Sequence, residues 1–399
     1  MIRIGAASTV AVVLVVVVLA ASCSSAGGET DGPQTGSAGA GVKVGDTVAL
    51  VGEVGPGADG PLPGLDRDAG VNAVLGDGSV VWFFGDTAQR NPDGSLAFFE
   101  VGSAAWATAE DPLVTLDHVD DGRVKPFAEL TAEFAPCPTE APEPGMWPLA
   151  AVTDPGDANR VILGMANVCL GPDRTLVDHG ISVGEWVHDP QNPPVGQPVT
   201  VEVLEQNLFP DAALGDAAVV VDDHVVVYGC EPPDSAGVVV TDPGHCVAAR
   251  VSPESVADAS SYEVWTGDEW SRGGEPATME MPPDAEGTVA PPGPVSVAAT
   301  PGGEGFVMAY TPWPGFAPWI DIRLAGSPVG PWSAPRRVDL DGCDPGPDAD
   351  EACYAANLQP LLDEDGYLGV GYYDRSVPAG GTRGGFLVGR VDFDWAPEG

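Results

Sequence analysis

The chain is short of positive charge. Only Lys43 and Lys125 are lysines among 399 residues, and 16 basic residues face 59 acidic ones, a formal charge of −43. A protein that holds nucleic acid must replace counterions with a basic surface, so that class is excluded. The same field opposes docking on anionic lipid or polyanionic wall polymer. The five histidines, His118, His179, His188, His224 and His245, show no metal-ligating spacing, and the cysteines include no Cys-x-x-Cys. A zinc centre is therefore not expected, nor any other cofactor. Long helices are disfavoured as well, since 53 glycines and 41 prolines interrupt the chain. Beyond the N-terminus no apolar run approaches the length of a membrane span.

What is present starts at the N-terminus. Arg3 precedes an apolar stretch over 10–21, and Ala20-Ala21-Ser22-Cys23 leads into a Gly/Ser/Thr-rich run. This pattern resembles the lipobox of bacterial lipoproteins, with Leu19 one place early. It implies a signal peptide over 1–22, lipidation of Cys23, and a flexible tether to residue 41. The membrane would then be met through the lipid alone, with the domain over 42–399 on the extracytoplasmic side of the cell membrane. An exported chain meets non-reducing surroundings. The six remaining cysteines are expected to pair in sequence order, Cys137 with Cys169, Cys230 with Cys246, and Cys343 with Cys353, because each pair would then lie in one local unit.

The rest of the chain is strand-like, with short Val-, Tyr- and Trp-rich runs separated by Gly, Pro and Asp. One hairpin recurs five times: 73–75 with 80–84, 149–152 with 161–165, 218–221 with 224–228, 295–299 with 306–310, and 358–362 with 367–373. Repetition of a strand unit is the signature of a propeller, so an all-β, five-bladed β-propeller is expected, with a monomeric domain. A two-sheet sandwich with a smaller domain is the rival architecture. The final repeat lacks an outer strand, which residues 43–51 could supply.

The segment Val81-Trp82-Phe83-Phe84-Gly85-Asp86-Thr87 resembles a strand end found in a family of secreted bacterial five-bladed propellers, long of unknown function. Some members of that family are endo-D-arabinanases acting on cell-wall arabinan. Three further segments, 248–270, 322–333 and Leu358-Gln359-Pro360, are similar to the same group, and the second also resembles arabinanase and β-xylosidase propellers. The resemblance implies a glycan-active protein whose partner is a neutral cell-wall polysaccharide. In the wider glycosidase group a histidine often precedes the proline of the last segment; here Gln359 stands in its place.

In a propeller, residues before each inner strand and after its hairpin partner gather on one face. Glycoside hydrolysis needs two carboxyl groups, one acid and one ionised. Asp68 and Asp86 flank the first hairpin and form the expected catalytic pair, with Asp216 as a third carboxylate. Asp66, Arg90, Trp147, Trp313, Trp319, Gln359 and Arg375 are expected to bind sugar through hydroxyl hydrogen bonds and ring stacking. The bland alternatives are that the aspartates cap strand ends and that Asp66-Arg67-Asp68 is an exposed turn. A non-catalytic propeller that binds glycan or a partner protein at the cell envelope is the alternative function. The acidic segment 339–351 is expected to be a solvated loop, with calcium as the alternative ligand.

Overall fold

The computed structural model describes residues 42–395 except 58–59, 63, 92, 94, 130–136, 140, 172–175, 210–213, 232–244, 285–291, 314, 344–352, 364–365 and 376–383. The expected signal peptide, Cys23 and tether lie outside the described residues, as does most of the acidic segment. Among the described residues there is no α-helix, and none is long and apolar enough to cross a membrane.

The strands run in the following order. An N-terminal arm forms β1 (Val42–Val44) and β2 (Thr47–Pro56). A first set contains β3 (Asp66–Arg67), β4 (Val71–Val74), β5 (Val80–Arg90) and β6 (Leu96–Ala107), followed by the short β7 (Val114–Thr115). The second set is β8 (Glu143–Asp154), β9 (Asp157–Leu170), β10 (Leu176–Val187) and β11 (Glu202–Phe209). The third is β12 (Ala217–Val221), β13 (His224–Glu231), β14 (His245–Val251), β15 (Glu263–Trp265) and β16 (Trp270–Arg272). Then come β17 (Pro292–Ala299), β18 (Phe306–Pro312), β19 (Trp319–Ala325) and β20 (Arg336–Leu340), and finally β21 (Tyr354–Leu358), β22 (Tyr367–Asp374) and β23 (Gly385–Trp395).

Four of the five recurrent hairpins fold as expected, and the fifth keeps its second strand but takes its first from residues 354–358. Residues 358–362 do not form a strand: β21 ends at Leu358, and Pro360–Leu362 turns as a 3-10 helix. Pro360 has no N–H to give a ladder. The turns follow from local chemistry. In the β4–β5 turn Gly78 takes φ +82°, and Asp77 Oδ1 accepts the Ser79 N–H at 3.0 Å. In the β12–β13 turn Asp222 adopts φ +52°, a region that a short polar side chain tolerates.

Alternation along the strands builds the packing. On β5, Val81 and Phe83 enter a core shared with the β8–β11 set, while Val80, Trp82 and Phe84 enter a core shared with β22 and β23. Successive side chains of a strand point to opposite faces, so one apolar run feeds two interfaces. The same arrangement recurs between the second and third sets, the third and the β17–β20 set, and that set and β21–β23. These interfaces close a ring, which rules out the sandwich. Each fully buried large apolar side chain contributes roughly 1.5–3 kcal/mol.

The ring is sealed by the arm. β1 pairs antiparallel with β23 through Val44↔Phe393, and β2 continues that ladder from Ala49↔Arg390 to Val54↔Phe386. The start of β2 also pairs in parallel with β20, joining the last two sets into one hydrogen-bonded sheet. Val44 and Val48 are buried in the core between them. Removing residues 42–52 therefore strips the outer strand from β23 and two core valines. We expect a fall in melting temperature corresponding to several kcal/mol; an unchanged melt would contradict the closure.

The three disulfides, Cys137–Cys169, Cys230–Cys246 and Cys343–Cys353, follow the sequential pairing.

Candidate functional site

The inner strands β4, β8, β12, β17 and β21 stand around a central cavity of about 470 Å³, walled mostly by Val, Ala and Leu side chains. Their neighbours fix their direction. Trp147, in the first half of β8, meets Asp86 of the neighbouring β5, and Thr153 near the far end of β8 reaches the Val74 carbonyl at 2.7 Å. Tyr354 of β21 lies level with Asp68, and Asn357 with Gly70. These three strands thus run in one direction, and the residues at their starts share one mouth.

At that mouth the structure brings together Asp66, Asp68 and Asp86. The β3–β5 ladder pairs Asp66 with Ala88 and Arg67 with Thr87. Extended by one residue, this register sets Asp68 opposite Asp86, and the Asp68 N–H bonds the Asp86 carbonyl at 3.1 Å. The strand then breaks at Ala69, which holds φ +48°, a strained value for a residue with a Cβ. Gly85 leaves room beside it, since a Cβ there would push the Asp68 carboxyl out of its place. Asp66, Asp68 and Asp86 project from one face, while Arg67 and Thr87 are buried on the other. The Asp66-Arg67-Asp68 segment is therefore not an exposed turn. Arg67 pairs with Asp117, and both side chains are excluded from solvent.

Each carboxylate at the mouth has a dedicated donor. The Tyr354 hydroxyl donates to Asp68 Oδ2 at 2.7 Å, and the Tyr373 hydroxyl to Asp66 Oδ1 at 2.7 Å. Trp147 Nε1 donates to Asp86 Oδ1 at 2.9 Å. Burial pushes the Asp68 carboxyl well above the usual carboxylate range, and the neighbouring charge of Asp86, with Asp66 adding to it, pushes the same way. The Tyr354 bond opposes this shift without cancelling it. Asp68 is thus a carboxyl group whose acid form is favoured by its surroundings, beside a second carboxyl group. That is the arrangement general acid chemistry needs.

Arginines and aromatic rings border the cluster. Arg90 Nε lies 3.7 Å from Asp66 Oδ2. The Arg375 guanidinium sits over the rings of Tyr354 and Phe316, 5.5 and 5.8 Å from their centroids. Phe316 and Trp313, each 38% exposed, lie on the β18–β19 loop. Tyr354, Tyr373 and Phe316 were not singled out by sequence reasoning. Their partners are 286 and 307 residues away for the two tyrosines, and no local pattern marks them.

The other expected site residues have different surroundings. Gln359 is completely buried; its amide bonds Asn72, Asn357 and the Gly70 carbonyl. It clasps β21 to β4. Asp216, at the start of β12, accepts the Cys230 N–H at 2.9 Å and so braces its own hairpin. The third carboxylate whose field reaches Asp68 is Asp66. Trp319 has one ring face covered by the Arg337 guanidinium at 4.1 Å. The string Gly180-Ile181-Ser182-Val183-Gly184 has the spacing of a hydrolase nucleophile elbow. Ser182, however, lies fully buried within β10, donating to Asn167 Oδ1 at 2.7 Å, with no following helix.

Asp363 lines the central cavity, and its carboxylate accepts the Gly369 N–H at 2.7 Å. Burial raises it to about 7. A carboxyl raised on folding favours the folded state when protonated, and that contribution is lost as pH rises through about 7. Asp363→Asn removes the titration. Its melting temperature relative to the parent should rise between pH 5 and pH 8, and a difference independent of pH would oppose this assignment.

The chain matches no family model and no curated relative. Among solved structures it is similar to a candidate hydrolase of Bacteroides ovatus, with 17% identity over 82% of this chain and 85% of that one and a TM-score of 0.55. It is also similar to Zg3597, a family 117 glycoside hydrolase of the marine bacterium Zobellia galactanivorans (10% identity, 87% and 90% covered, TM-score 0.48). A GH43_1 enzyme of Xanthomonas citri complexed with xylose gives 13% identity, 86% and 90% coverage and a TM-score of 0.47. The first of these shows a shared fold, and the closed ring of radially packed sheets is propeller-like.

Proposed function

We propose that the protein is a glycoside hydrolase of the cell envelope, built as a five-bladed β-propeller with the N-terminal arm closing its last blade. Asp68 acts as general acid and Asp86 as its carboxylate partner. The observation that supports this reading most is the placement of Asp68 opposite Asp86 at the mouth of the ring, where burial and the neighbouring charge push the Asp68 carboxyl well above the usual range. Phe316, Arg90 and Arg375 border the same mouth with a stacking surface and donors a sugar chain uses, and Trp313 is exposed on the loop that carries Phe316. The hydrolase of similar fold agrees with the reaction class. The proposed substrate is a neutral arabinan. The proposed location is the outer face of the cell membrane, reached through a lipid on Cys23, with the domain a monomer.

The test is incubation of the purified protein with cell-wall arabinan and analysis of the products. Oligosaccharides that appear with the parent and are absent with Asp68→Asn support hydrolysis. Retention of arabinan without new oligosaccharides rejects it, and favours a glycan-binding propeller instead.

A further inference from the structure

We propose that Tyr354 is a positioning residue that reserves Oδ1 of Asp68 as the oxygen that carries the reacting proton. The inference rests on the hydrolase reading above for its catalytic consequence, but its structural content stands on the seam between β21–β22 and β3.

Tyr354 and Tyr373 are paired across β21 and β22, and their ring centroids are 4.8 Å apart. Opposite them Asp66 and Asp68 alternate along one chain segment. Two cross-strand phenols therefore grip two carboxylates, Tyr373 on Asp66 Oδ1 and Tyr354 on Asp68 Oδ2. Tyr354 is largely buried against Tyr373 and Phe316, with Arg375 over its ring. Among the described residues its hydroxyl proton has one acceptor, Asp68 Oδ2. A proton placed on Oδ2 would turn that bond around and leave the phenol proton buried without an acceptor, which is costly. The acid proton of Asp68 therefore resides on Oδ1, the oxygen lying over the side-chain-free Gly85.

The chemistry follows from that placement. Oδ1 gives its proton to the glycosidic oxygen as the bond from the anomeric carbon to that oxygen breaks, the electron pair passing to the oxygen. Asp68 is left as a carboxylate, and the Tyr354 bond to Oδ2 becomes charge-assisted and stronger. Tyr354 thus stabilises the product form of the acid without touching the sugar.

Tyr354→Phe tests this, since it keeps the ring packing and deletes the donor, with Tyr373→Phe as the comparison. Two readouts are needed: kcat and KM for arabinan against pH, and the titration of the Asp68 carboxyl by carbon-13 NMR, assigned by its loss in Asp68→Asn. Removing a donor to the carboxylate disfavours the ionised form. In Tyr354→Phe the Asp68 midpoint and the basic limb of the pH profile should move upward, and kcat should fall about tenfold at unchanged KM. Tyr373→Phe should leave the Asp68 midpoint much nearer the parent's. An unmoved Asp68 midpoint in Tyr354→Phe overturns the proposal, whether or not arabinan is cleaved. Failure of the hydrolase reading looks different: Asp68→Asn and Asp86→Asn would then leave any arabinan turnover intact, while the NMR titration still decides the role of Tyr354.

Discussion

Asp68→Asn should lower kcat on arabinan by about 10²–10⁴-fold and leave the fold intact. The amide oxygen of an asparagine can still accept the Tyr354 hydroxyl, so the seam keeps its hydrogen bond. It is neutral without a bound proton, so it removes the cost of keeping a carboxyl protonated in this buried, acidic setting. The melting temperature should therefore hold or rise while turnover collapses, an opposition that a merely structural aspartate would not produce. Asp86→Asn should be at least as inactive, with the Trp147 bond retained in the same way. Directly opposed residues on antiparallel strands have Cβ atoms about 4.5–5.5 Å apart. Side chains based at that spacing can bring their carboxyl groups to the roughly 5–5.5 Å separation a retaining mechanism uses, whereas an inverting one must leave room for a water. Proton NMR of the first-formed product should accordingly show the anomeric configuration of the substrate. An inverted product would remove Asp86 from the role of nucleophile.

The parts of this site that are legible in the sequence are those set by short-range rules. Asp68 and Asp86 flank one hairpin, and strand pairing alone brings such residues together. The disulfides were legible for the same reason, with partners only 32, 16 and 10 residues apart. Closure by the arm could be read because the last repeat was one strand short. Tyr354 and Tyr373 could not be found, since what gives them meaning is the seam where the last strands of the ring meet the first. The place of Gln359 could not be read for a related reason. Its position beside the inner strands suggested a ligand contact, but at the seam the buried backbone of Gly70 and the side chains of Asn72 and Asn357 consume its amide. Arg67 shows how alternation can mislead when strand length is unknown. Between two aspartates it reads as a surface ion pair, whereas in β3 it faces the opposite side from both of them.

Arg67 carries the largest expected effect on stability. Its guanidinium is 1% exposed, pairs with the fully buried Asp117, donates to Thr115 Oγ1 at 3.2 Å, and lies 4.4 Å above the Phe84 ring. Asp117 also accepts from Thr115 Oγ1 at 2.7 Å, so β3 is tied to the segment that follows β7. Arg67→Ala leaves the Asp117 carboxylate buried without its counter-charge. Breaking such a pair from one side costs about 3–5 kcal/mol. For a domain of this size that corresponds to a loss of roughly 4–7 °C in melting temperature. Arg67→Lys should recover only part of it, because an ammonium cannot reproduce the planar stacking on Phe84. The double change Arg67→Met with Asp117→Leu removes both charges, and it should be much more stable than Arg67→Ala. Urea unfolding of the four proteins measures these differences, and a loss below about 1 kcal/mol in Arg67→Ala would show that water reaches the pair. The consequence extends to the mouth of the ring. Asp66 and Asp68 are Arg67's immediate neighbours, so freeing its side chain loosens the backbone that aims both carboxylates. Where the double variant regains stability, it should regain turnover with it, since none of the replaced groups faces the cleft.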